Sequence, residues 1–312
     1  MTNATVLSWI NAEVDQALKV VRDTIAKSVA AAGDAALLRP CPQHLHQVSG
    51  ALRMVGLSGA TRFCEAIESS FGAVKGGEAA KSALGVIDRA VLALRDFVDD
   101  LSRGNANIPL RLFPVYRDLS ALQGNAEVSE KDLFYPDLAL AAPPHAAPRA
   151  VPDNELAPLL QAQRTRFQRG ALAWLKGQAA GLEDMRQALD ALHQVAARLP
   201  EPRALWWAAQ GIVEALGAPG VDKDWVAQVK VLGNKIDFLM RDLAAGTAKD
   251  ASGLLREVLY AIARCKSATP RVAEVKQLYQ LDSLLPDLAK AEAQETTRDQ
   301  LRAVQRSVRA RL

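Results

Sequence analysis

Across 312 residues, 38 lysines and arginines are set against 35 aspartates and glutamates, a formal net charge of +3. Basic and acidic residues alternate, as in Arg22-Asp23 and Arg241-Asp242, so no phosphate-tracking stripe forms and nucleic acid is excluded as a partner. No run of eighteen apolar residues exists, which argues against membrane insertion, and Cys41, Cys64 and Cys265 are too scattered for a disulfide framework. The first residues, Met1-Thr2-Asn3-Ala4-Thr5, lack the basic and apolar regions of a signal peptide, so the expected location is the cytoplasm.

Apolar residues recur at three-to-four spacing through most of the chain, which predicts an all-α protein. The first predicted helix carries Leu7, Ile10, Val14, Leu18, Val21 and Ile25 on one stripe. Pro40 and Pro42 predict a short piece over Ala35 to Arg39 and a restart into a second helix bearing His46. A third is expected from about Ser58 to Val74 and a fourth from Ala79 to Ser102, with Leu84, Ile87, Val91, Leu94 and Val98 inward. Short Gly-containing links between them predict an up-down bundle, and Asn107-Ile108-Pro109 opens a further helical segment through Leu122.

Pro136, Pro143, Pro144, Pro148 and Pro152 among alanines predict an extended linker over 136–154. Helical periodicity resumes near Glu155 and continues through Gln161–Trp174, Leu182–Leu199, Arg203–Leu216, Trp225–Leu243 and Leu254–Lys266. Residues 291–312 are charged, with a weak apolar stripe, and read as a frayed tail or the join to a longer protein. The expected organisation is a bundle with helical extension over 1–135, the linker, and a second helical domain over 155–312.

The stretch His46-Gln47-Val48-Ser49-Gly50-Ala51-Leu52-Arg53 carries the chemistry. Gly50 lies one turn from His46 on the same face, leaving the imidazole approachable, while Val48, Leu52 and Val55 face elsewhere. Glycine there costs roughly 1 kcal/mol of helix propensity against alanine, so something other than helix stability favours it. A neutral imidazole is a competent nucleophile at cellular pH without strong activation. His44 points about 200° away around the helix, and no paired Cys-x-x-Cys accompanies Cys41, His44, His46 and Cys64, so no metal site is expected.

His46, Gly50, Arg53, Gly56-Leu57 and Glu68 resemble the His-x-x-Lys-Gly pattern of histidine phosphotransfer (Hpt) domains. Further motifs occur in order: Leu45-His46-Gln47-Val48, Ile108-Pro109-Leu110, Asp132-Leu133-Phe134, Pro136-Asp137-Leu138, Arg164 to Trp174 and Arg203-Ala204-Leu205-Trp206-Trp207. Together they resemble the N-terminal region shared by CheA-like histidine kinases of type IV pilus chemosensory systems and by FimL-type scaffolds. The resemblance implies two Hpt-like bundles, His46 as phosphoacceptor, and Ser49, Gly50 and Arg53 as partner-binding residues. The implied partners are a response-regulator receiver domain, which would bring its own acidic pocket and Mg²⁺, and other pilus chemosensory proteins, with recruitment to the cell pole.

Ser49 stands where that family has lysine, removing a positive charge beside the phosphoryl group. Arg53, two turns on, is long enough to replace it in part. An overlay of Leu45–Leu52 on Trp206–Val213 keeps the glycine in register and puts Trp207 where His46 stands. Trp174, Trp206, Trp207 and Trp225 read as packing residues, His193 as a packed histidine, His145 as a linker residue, and Arg164, Arg166 and Arg169 as a solvated face. No phosphate loop, nucleophile turn, kinase ATP-binding domain or cofactor motif is present; any kinase part would follow Leu312.

Three functions follow. The first is a scaffold that docks receivers through degenerate Hpt-like bundles in a pathway controlling twitching motility and cyclic AMP. The second is a working phosphotransfer module using His46. The third is an enzyme or helical small-molecule sensor in the second domain, which requires a closed apolar pocket near the tryptophans.

Overall fold

The computed structural model describes residues 3–74, 78–125, 127–199, 203–248 and 250–286. Among these are eleven α-helices and no strand, so the protein is all-α. The tail over 291–312 lies outside the described residues, as do the side chains of Leu7 and Ile10. Two compact units divide between Tyr135 and Pro136.

The first unit is built on α1 (Asn3–Ala30), α2 (Cys41–Met54), α3 (Ser58–Ser70) and α4 (Glu78–Ser102). Each packs on its neighbours in sequence and α4 closes onto α1, the ring of a four-helix bundle. Val14, Leu18, Val21 and Ile25 of α1 are buried, as are all five predicted inward residues of α4. Arg22 spans to α4 with a bidentate bond to Asp88 at 2.8 and 3.3 Å. Pro42 is accommodated in the first turn of α2, where its missing N–H has no helical partner to lose. The predicted third helix ends earlier than Val74, in a 3-10 turn over Phe71–Ala73. A 3-10 turn over Pro109–Leu112 then leads into α5 (Phe113–Leu122), which packs on α3 and α4. Pro109 presses on the start of α3, where a β-carbon at Gly59 would stand 2.5 Å from the proline Cβ.

The second unit comprises α6 (Asp153–Leu175), α7 (Ala180–Gln194), α8 (Arg203–Leu216), α9 (Lys223–Ala244), α10 (Ser252–Arg264) and α11 (Pro270–Tyr279). Five of these form a ring in the order α6, α7, α8, α10, α9, and α11 lies against α8 and α10. Buried residues run without a break from Ala204 to Val213, making α8 the central helix. Trp225, just past the Asp222 N-cap of α9, donates its indole N–H to Ala261 O at 2.7 Å and pins α9 to α10.

The helix order does not support the overlay of α2 on α8. Helix α2 is the second of its ring and packs on both sequence neighbours, whereas α8 is third in its unit and packs on α7, α10 and α11. Trp207 is accordingly 2% exposed, with the Arg271 guanidinium of α11 5.6 Å from its ring centroid. Residues 136–151 form no helix, turn at Asp137–Leu140, and pack against the second unit. Ala142 and Val151 are buried, Arg149 N–H donates to Gln194 O, and Tyr279 O–H donates to Leu140 O.

Candidate functional site

Cys41, Leu45, Val48 and Leu52, four and three residues apart, form the buried face of α2. The helix stops at Gly56, whose φ of +76° lets its N–H reach Arg53 O while Leu57 N–H reaches Leu52 O. Both bonds together satisfy the terminal carbonyls in a glycine-dependent way and reverse the chain within three residues. Helix α3 therefore runs back antiparallel to α2, its Gly59, Ala60, Phe63, Cys64 and Ile67 buried. Cys64 Sγ lies 3.4 Å from Leu45 O beneath the exposed face, and burial pushes its thiol well above the usual range.

On that exposed face the His46 side chain is 77% exposed, and its Nδ1 lies 3.5 Å from Glu68 Oε1 of α3. The contact is long for a hydrogen bond, yet a carboxylate there favours the tautomer with the proton on Nδ1. Nε2 is then the lone-pair nitrogen. One turn along, a β-carbon at Gly50 would meet nothing within 4 Å, so the approach to the ring is open. One further turn along, Arg53 Nη2 is 2.6 Å from Glu65 Oε1, its charge answered by the facing helix.

Ser49 is not on this face. It is 2% exposed, and its hydroxyl donates to His46 O at 2.9 Å within its own helical turn. Its partner-binding assignment is corrected for that reason: three helical steps from His46 turn the short side chain toward the bundle, where an incoming protein finds no group. His46, Gly50, Glu68, Arg53 and Glu65 are thus brought together, while His44, half-buried, stands elsewhere on α2. The pairing of α2 with the glutamates of α3 required the tight turn at Gly56, itself visible in the sequence.

In the second unit the predicted features resolve differently. Arg164 makes a bidentate pair with Asp237 at 2.9 and 3.1 Å, and Arg166 and Arg169 both reach Asp184, so the predicted solvated arginine face is paired within the unit. His145 is not a bystander in a linker. Its Nδ1 accepts from Ala147 N–H, so its Nε2–H donates to Asp190 at 3.1 Å, and its ring stands edge-on to that of His193. His193, 5% exposed, donates Nε2–H to Pro143 O at 3.2 Å. Trp206, Trp207 and Trp225 are buried, and half-buried Trp174 lines a cavity that is open to solvent, not the closed pocket expected of an enzyme or sensor.

Residues 9–104 match the Hpt domain family, and residues 152–292 match the FimL scaffold protein second domain. The chain is thus similar to Hpt domains in its first part and to FimL scaffold proteins in its second. The Scaffold protein FimL of Pseudomonas aeruginosa is 26% identical over 293 residues, covering 91% of this chain and 51% of the relative. The FimL-like chain therefore spans about half the length of that curated relative. No solved structure matches it. The matched Hpt segment contains α2, α3 and the His46 face, and the FimL segment takes in α6 to α11. No helix among the described residues is long and apolar enough to cross a membrane.

Proposed function

We propose that this chain is a signalling scaffold of a type IV pilus chemosensory pathway whose His46 face docks response-regulator receiver domains. The observation that carries the reading is the composition of that face. His46 and the open side of Gly50 offer a partner access, but Glu68 and Glu65 flank the face, and Arg53, the cation nearest to it in sequence on α2, is already paired. A phosphoryl group in transit carries negative charge that needs nearby donors and cations, and Ser49 offers none. Recognition survives such a loss better than catalysis does. The similarity to a protein named as a scaffold points the same way, and the proposal extends to control of twitching and cyclic AMP, with recruitment to the cell pole.

The Glu68 contact favours a second reading. With the proton held on Nδ1, His46 Nε2 would attack the phosphorus of a receiver's aspartyl phosphate. An N–P bond forms, the P–O bond to the aspartate breaks, and the carboxylate leaves as an anion; the partner supplies the Mg²⁺. Incubating the chain with phosphorylated receivers from the same genome and following acid-labile phosphate separates the two. Docking without chemistry predicts a complex with no label on the chain. Label that vanishes in His46→Gln establishes transfer.

A further inference from the structure

In the second unit, α6 and α9 part over a cavity of about 360 Å³ floored by α7 and α8. Its walls are largely apolar: Ala171, Met185, Leu189, Ile212 and Val229 are among them, and a β-carbon at Gly233 would meet nothing within 4 Å. The volume falls in the range of small-molecule sites, and the polar side chains in its lining are Gln168, Lys230, Asn234 and Asp237. At one end Asp237 is neutralised by the bidentate Arg164 pair. At the other, exposed Lys230 holds its Nζ 5.8 Å from the Trp174 ring centroid. Leu172 and Leu175 beside it on α6 are 54% and 55% exposed, an apolar lip on a site with a cationic rim.

We propose that this cavity binds a medium-chain carboxylate, with the alkyl chain between α6 and α9 and the head group at Lys230. The charge distribution selects that ligand. An apolar interior favours a hydrocarbon, the internal carboxylate is already satisfied, and the ammonium at the mouth lacks an anionic partner among the cavity's lining residues. A neutral alcohol of equal length gains only the interior. The inference is independent of what His46 does, since it concerns the second unit alone.

Titration of the whole chain with hexanoate, octanoate and decanoate, followed by calorimetry, tests it. Saturable one-to-one binding is expected, tightening about fourfold per methylene while the chain is being buried. Decanol should bind at least tenfold more weakly than decanoate, and Lys230→Gln should remove that preference. Gly233→Leu fills the space from within a helix and should abolish binding with the helical circular dichroism unchanged; Ala171→Phe blocks the same cavity from α6 and decides the matter if the first variant misfolds. Non-saturable binding, equal affinity for decanol, or undiminished binding in both filled variants would overturn the proposal. So would a concentration-dependent dimer in sedimentation that Gly233→Leu dissolves, because the occupant would then be a second copy.

Discussion

Gly170 and Gly181 meet backbone to backbone where α6 crosses α7. A β-carbon on Gly170 would stand 2.5 Å from the Gly181 carbonyl oxygen and 2.9 Å from Met185 N, and one on Gly181 would run into Gly170 O and Trp174 N. Backbone cannot swing aside as a side-chain tip can, so either alanine forces the helices apart. Overpacking of this kind costs about 1–3 kcal/mol. Gly170→Ala and Gly181→Ala should each lower the unfolding midpoint of the second unit by about 3–10 °C in a thermal melt. A melt unchanged in both would show that the helices cross elsewhere.

Gly50 is the opposite case. Its missing side chain borders open space, so alanine fits and improves helix propensity. Gly50→Ala should stabilise the first unit by about 1 kcal/mol in urea unfolding. A destabilisation of that size would mean that the glycine serves the fold and not access to His46.

Stability of the second unit should fall as the solution is acidified below about pH 6.5, the ordinary histidine value. Burial chiefly holds the His193 pKa below that value, with His145 and Arg271 lowering it further, while Pro143 O and Asp190 oppose the shift. The unfolded chain therefore binds the proton first, and folding loses free energy from pH 6.5 downward until the folded state also protonates, at no more than about 1.4 kcal/mol per pH unit. Urea unfolding from pH 5 to 7.5 should show this slope in the native chain and a shallower one in His193→Gln. An equal slope in both would assign the effect to other groups.

Arg164 and Asp237 are 20% and 18% exposed at their side chains, so solvent screens the pair only partly. Removing one partner leaves the other charge half-buried. Arg164→Met should cost about 1–2 kcal/mol, and adding Asp237→Asn should recover part of that loss in a double-mutant cycle. Strict additivity would show that the pair contributes no coupling.

How far the sequence reached depended on whether a feature was local. The stripe from Val14 to Ile25 and the register of His46 with Gly50 are properties of one helix, and periodicity exposes them. Ser49 was misjudged because resemblance carried over a position and not a side-chain length: a hydroxyl folds onto its own turn where a lysine would reach outward. The attachment of residues 136–151 was hidden because irregular, proline-rich chain has no period, and His145 meets Asp190 across 45 residues. Helix α11 went unseen because ten residues with Val272, Val275 and Tyr279 inward give too short a stripe. The cavity beside Trp174 arises where four helices converge, a relation no single segment encodes.

The central claim is that the His46 face is a docking surface. The most direct measurement is the affinity of the whole chain for receiver domains from the same genome, by calorimetry, for the native protein, His46→Ala and Gly50→Leu. At least one receiver should bind the native chain, with affinity reduced tenfold or more by Gly50→Leu, which fills the open approach, and weakened by His46→Ala. A receiver that binds all three proteins equally well would contradict the account.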